Sequence, residues 1–144
     1  MRALLDVNVL IALLDSDHAF HGRAHHWWAA NGKSGWASCP LTENGVVRIM
    51  SNPSYSKAAQ FTPSQLIEYL NQFAGQTNHQ FWPDELSILD RKIFAAERIH
   101  SLRLITDIYL LALASTNHGR LVTFDQGIPL SSVQTAKPTN LLII

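Results

Sequence analysis

Four acidic residues of this chain stand where a carboxylate is either costly or well placed for catalysis. Asp6 interrupts the apolar stretch Ala3-Leu4-Leu5-Asp6-Val7-Asn8-Val9-Leu10, and burying an unpaired charge there is unfavourable. The nearest cation in sequence is Arg2, on the same face of a strand but about 13 Å away. Asp125 ends the apolar run Leu121-Val122-Thr123-Phe124, Glu43 falls in the first turn of a helix that Pro40 begins, and Asp107 opens a long apolar helix. Taken singly, Asp107 with Thr106 reads as a helix cap and Asp125-Gln126-Gly127 as a turn. Taken together, four carboxylates crowded at one place repel and raise one another's pKa unless divalent cations hold them ionised. Oxygen-only ligands select Mg2+ or Mn2+ over zinc, and two such ions about 3.5–4 Å apart are an arrangement that cleaves phosphodiesters.

The elements that must bring these acids together can be read from the periodicity. Residues 3–5 form a short buried strand that passes into a buried helix over 9–14. Asp17 is expected to cap a second helix carrying Phe20, Ala24 and Trp27 on one face and closed by Gly32 and Gly35. A strand follows at 35–38, then the Pro40 helix with Glu43, Val47 and Met50 on one face, stopped by Asn52-Pro53. Thr62-Pro63-Ser64-Gln65 is a capping box, and Leu66, Leu70 and Phe73 continue its stripe to Gly75. Residues 79–82 read as a strand, and 84–100 as mixed helix and loop bearing Leu86, Leu89, Ile93 and Phe94. Thr106 is expected to cap an all-round apolar helix over 107–118, with Gly119 in the left-handed position beyond it. Strands at 121–124 and 141–144 complete the chain. Alternating strands and helices predict an α/β fold with a mostly parallel sheet covered on both faces. Ligands then bind at the carboxyl ends of the strands, where these acids fall.

At 144 residues, 47% hydrophobic and 15% charged, the chain suits one domain over 1–144 with a real core. A net charge of zero excludes a broad electrostatic grip on nucleic acid. Setting the four acids aside leaves eleven basic residues against seven acidic ones, a mildly basic remainder. Arg48, on the Asn44 face of its helix, is a candidate RNA contact, and Arg91, Lys92, Arg98 and Arg103 could form a rim. Solvated surface is the commoner fate of such residues. One cysteine, Cys39, rules out an internal disulfide or a Cys-rich zinc site and fits a cytoplasmic setting. No apolar run approaches the roughly 20 residues of a membrane span. His21 and His25 have metal-ligand spacing, with His18 and His26 nearby, but no third ligand is evident. Trp27, Trp28, Trp36 and Trp82 suit a core or dimer interface better than base stacking. A Gly-rich phosphate loop and a G-x-S-x-G elbow are both missing. Asn8 and Leu10 occupy the places where an aspartyl-phosphate phosphatase signature needs Asp and Thr.

The stretches Asp6-Val7-Asn8-Val9-Leu10-Ile11-Ala12-Leu13, Thr42-Glu43-Asn44-Gly45, Thr106-Asp107-Ile108-Tyr109-Leu110-Leu111 and Leu121-Val122-Thr123-Phe124-Asp125 resemble the four acid motifs of PIN domains. Their order and spacing are similar to those of VapC-type toxins of bacterial toxin–antitoxin pairs. The resemblance implies a three-layer α/β/α fold with four to five central strands. It implies a Mg2+- or Mn2+-dependent endoribonuclease cutting structured RNA such as tRNA or rRNA, with Asp6, Glu43, Asp107 and Asp125 around the metal. Asn8, Thr123 and Thr106 match positions that support the acids by hydrogen bonding. A homodimer is implied, as is a small VapB-like antitoxin that blocks the site, often through a C-terminal segment with a basic residue. The alternatives are an RNA-processing PIN nuclease without an antitoxin and a noncatalytic RNA- or protein-binding module. One departure stands out: Gln126-Gly127-Ile128 follows Asp125 where relatives often carry basic residues, so the substrate phosphate must be gripped elsewhere.

Overall fold

The computed structural model describes residues 1–144. In chain order it comprises β1 (Ala3–Leu5), α1 (Val7–Leu14), α2 (His21–Asn31), β2 (Trp36–Ser38), α3 (Pro40–Met50), α4 (Pro63–Gln76), β3 (His79–Phe81), α5 (Ile105–Thr116), β4 (Arg120–Thr123) and β5 (Leu141–Ile143). The five strands form one parallel sheet in the order β3-β2-β1-β4-β5. Each strand residue alternates between faces, and two separate cores result. Leu4, Ala37 and Leu121 join α5 on one face, while Ala3, Leu5, Trp36 and Val122 meet α1, Ala24 of α2, Val46 and Met50 of α3 and Leu66 of α4 on the other. The architecture is the expected three-layer α/β/α sandwich. Because every strand is parallel, the carboxyl ends of β1, β2 and β4 open on one edge, and Asp6, Ser38 and Thr123 lie there.

Local chemistry explains most boundaries. Thr62 and Gln65 form the reciprocal capping box at the start of α4, and Pro40 occupies the first position of α3. Gly35 adopts φ 94 just before β2, with the Arg2 guanidinium packed where a Cβ would sit, so the turn needs glycine.

Several expectations give way to tertiary context. Asp17 does not cap α2: its N–H donates to Asp15 Oδ1 at 3.0 Å, the Phe20 N–H donates to His18 Nδ1 at 3.0 Å, and the helix begins only at His21 without a side-chain cap. Tight turns consume the intervening residues, and Phe20 is left 42% exposed rather than on a buried face. Thr106 caps nothing either. A 3-10 turn at Leu102–Leu104, whose Ser101 Oγ accepts from the Arg103 N–H, runs straight into α5, leaving Thr106 exposed in its first turn. The left-handed residue after α5 is His118 (φ 55), not Gly119. Gly119 is required for a different reason: a Cβ there would lie 2.5 Å from the Trp82 ring and 2.8 Å from the Arg2 carbonyl oxygen. β4 ends at Thr123, one residue short of the expected strand. In the 84–100 stretch, a 3-10 turn at Ala96–Arg98 is the only helical element, Phe94 is buried and bridges to Val133, and Leu89 is 86% exposed.

The histidine pair has a structural occupation. His21 Nδ1 lies 2.7 Å from the Ala12 carbonyl and His25 Nε2 lies 3.0 Å from that of Leu13, their rings 4.1 Å apart. Both imidazoles satisfy orphan carbonyls in the last turn of α1, and no third His, Cys, Asp or Glu joins them in a metal-ligating group.

Candidate metal centre

Asp6 leaves β1 and serves as the N-cap of α1. Its Oδ1 accepts the Val7 N–H at 2.7 Å and its Oδ2 accepts the Thr123 hydroxyl at 2.8 Å. The residue is 5% exposed. Thr123, fully buried at the end of β4, also accepts the Asp125 N–H on Oγ1 at 3.1 Å. One hydroxyl therefore ties the first acid to the backbone of the last. Asp107 enters from the first turn of α5, where the helix dipole favours an anion.

Carboxylate oxygens of Asp6, Asp107 and Asp125 all lie within 4.8 Å of one another. Burial pushes the Asp6 carboxyl up, with Asp125 adding to the rise and the bonds from Thr123 and Val7 opposing it. Burial, then the charges of Asp6 and Asp125, push Asp107 up to about 7. Arg2 offers no relief, because its guanidinium is spent on the carbonyls of Trp36 and Asn78. The donor set is oxygen-only and anionic, the chemistry that hard dications select. Asp6, Asp107 and Asp125 are therefore the residues that could hold such an ion.

Glu43 departs from the expected four-acid convergence. It occupies the first turn of α3, at the β2 end of the same edge, but stands outside the three-acid group. Its Oε1 accepts the Ser38 hydroxyl at 2.6 Å, which turns the carboxylate toward β2. There it lines a cavity of about 500 Å3 between α3 and α4 with Ser38, Asn44, Arg48, Asn71 and His79. Arg48 thus reaches the groove with Asn44. Asn8 is exposed in the first turn of α1, and the bonds that hold Asp6 come from Val7 and Thr123 instead. Thr106 sits beside Asp107 in sequence but is exposed.

Sequence reasoning passed over three residues. Ser38 and His79 surround Glu43, their Oγ and Nε2 atoms 2.7 Å apart. Arg23 on α2 places its guanidinium 5.4 Å from the Phe20 ring and 5.7 Å from the Phe124 ring, next in sequence to Asp125. The available signal was the aromatic residue preceding that acid. Cys39 is inert: burial raises its thiol to about 11.

The PIN domain family model matches residues 3–133. The chain is 47% identical over 141 residues to ribonuclease VapC44 of Mycobacterium tuberculosis, covering 98% of each. It is 41% identical over 128 residues to ribonuclease VapC39 of that organism, covering 89% of this chain and 91% of the relative. With ribonuclease VapC38, also from M. tuberculosis, identity is 39% over 143 residues and 99% of each chain. An acid-edged parallel sandwich and these full-length likenesses agree that the chain belongs to the PIN-domain family, in its VapC branch.

Proposed function

We propose that this chain, one domain over residues 1–144, is a divalent-metal-dependent endoribonuclease and the toxin of a toxin–antitoxin pair, hydrolysing phosphodiester bonds in structured RNA such as tRNA or rRNA. The observation that carries the reading is the set of Asp6, Asp107 and Asp125 oxygens within 4.8 Å of one another at the carboxyl edge of the sheet. That its VapC relatives are named ribonucleases supports it.

Asp6, Asp107 and Asp125 would hold the ion, with Glu43 as a fourth acid at the neighbouring strand end. Bound Mg2+ or Mn2+ would supply Lewis-acid polarisation of a phosphate oxygen and a water of lowered pKa. The protein's share is positional. Val7 N–H and Thr123 Oγ1 fix both oxygens of Asp6, and α5 presents Asp107 at its positive end. RNA is gripped locally, since the chain has no net charge. Arg23, packed on Phe124, and Arg48, in the cavity with Asn44 and Glu43, are the candidate phosphate contacts. A cognate VapB-like antitoxin blocks the acid cluster with a basic side chain, the chain works as a homodimer, and it acts in the cytoplasm. No helix is long and apolar enough to cross a membrane.

Asp6→Asn tests the reading, because it removes a ligand and a repulsive charge together. The variant is expected to stay folded while losing Mg2+-dependent RNA cleavage and growth inhibition. Undiminished cleavage would reject the metal-site assignment, and mapping RNA ends after brief induction identifies the bond cut.

A further inference from the structure

Glu43 is an acid at this edge that the three-acid group does not include, and its position is set by a hydrogen-bonded chain that reaches across two strands. Ser38, the last residue of β2 and 1% exposed, places Oγ 2.6 Å from Glu43 Oε1 and 2.7 Å from His79 Nε2. His79 opens β3 directly opposite Trp36 in the sheet register. Its ring lies 4.4 Å from the Trp36 ring, and Trp36 is itself anchored by an Nε1–H bond to Thr77 Oγ1 at 2.8 Å. Thr77 in turn donates to the Phe73 carbonyl of α4. The imidazole is therefore wedged by a buried aromatic ring that α4 holds.

The protons of this chain can be assigned by donor arithmetic. An ionised carboxylate only accepts, and a serine hydroxyl has one proton to give. With that proton directed at Glu43, Ser38 Oγ is the acceptor toward His79, so Nε2 carries hydrogen. The direction is Nε2–H to Oγ–H to Oε1, each bond polarising the next.

The geometry points to Ser38 and His79 as positioning residues for Glu43: a histidine–serine brace that holds this carboxylate at the mouth of the cavity between α3 and α4, so that it acts on RNA cleavage from a fixed orientation. The inference rests on the ribonuclease reading above. Outer partners of this kind orient the groups that touch metal or substrate, and losing one typically costs about 10–100-fold in affinity or activity. The brace also explains why an exposed edge strand begins with a half-buried histidine rather than a β-branched residue.

The test is a double-mutant cycle with steady-state kinetics on a defined RNA in Mg2+, alongside thermal melts. Ser38→Ala and His79→Ala are each expected to lower kcat about tenfold with little change in KM. In a Glu43→Gln background neither should cause further loss, because both act through Glu43. His79→Gln keeps a donor near the Nε2 position and is expected to recover most of the rate. Losses that multiply with that of Glu43→Gln, or that track lowered melting temperature, would overturn the brace. A wild-type protein that cleaves no RNA would instead reject the ribonuclease reading. Independently of activity, 15N NMR of the metal-free protein at pH 8 should find His79 as the Nε2–H tautomer. An Nδ1–H tautomer would send the Ser38 proton to His79, away from Glu43, and end the proposal.

Discussion

Thr123 carries a burden out of proportion to its size. Its hydroxyl gives its proton to Asp6 Oδ2 and takes the Asp125 N–H, so one side chain closes the link between the end of β1 and the second residue beyond β4. Thr123→Val keeps the shape and removes both bonds. Asp6 Oδ2 is then a buried oxygen without a donor, a defect worth about 1–3 kcal/mol, and urea unfolding of the metal-free protein should register it. Mn2+ binding, followed by calorimetry, should weaken by about 10–100-fold. Wild-type affinity in that variant would mean that Asp6 is aligned by other means. At this scale Asp6 and Asp125 were legible because each interrupts or ends an apolar run, and Glu43 and Asp107 because each falls in the first turn of a helix that follows or feeds a strand. The turning aside of Glu43 was not, since it depends on Ser38 and on a histidine 41 residues from that serine, a relation only the sheet register creates.

Among the elements, legibility followed locality. The start of α4 is written in four consecutive residues, and the strand-to-helix passage at Asp6 in eight. Asp17, Thr106 and Gly119 each carry a local signal that longer-range contacts overrule: two successive turns delay α2, a 3-10 turn from Ser101 replaces the cap of α5, and Trp82 claims the space beside Gly119. Gly119→Ala tests the last point. The added methyl meets a ring and a backbone carbonyl, neither of which yields cheaply, so about 1–3 kcal/mol of stability should be lost. If the left-handed position had been the reason for glycine, His118 would have been the sensitive site. The histidines of α2 give a companion expectation. His21→Ala unbinds a terminal carbonyl of α1 and should cost about 1 kcal/mol, and any shift that zinc causes in the melting temperature should be the same in a His21→Ala/His25→Ala double variant as in the wild-type protein. A zinc shift lost in that double variant would restore the pair as a metal site.

For the molecule as a whole, the acid cluster is a liability: buried, mutually repelling carboxylates that a proton or a cation would relieve. Asp6 and Asp107 have carboxyls raised by burial and by neighbouring acids, Asp107 to about 7 against an ordinary value of 3.8. Between those two values the folded chain binds more protons than the unfolded one, so stability falls as pH rises through about 7 and is regained on acidification. Metal-free protein should therefore melt higher at pH 5.5 than at pH 8, by on the order of 4 °C. Mg2+ or Mn2+ acts in the opposite sense, because the ion must displace the protons the apo site retains. Saturating metal at about 100 times its Kd adds about 2.7 kcal/mol, and that gain should be largest at pH 8 and shrink as the acids protonate. Differential scanning calorimetry over pH and metal concentration separates the two terms, and in Asp6→Asn both should diminish together. A metal-induced rise that is equal at pH 5.5 and pH 8, or that survives intact in the variant, would place the ion somewhere other than among these carboxylates.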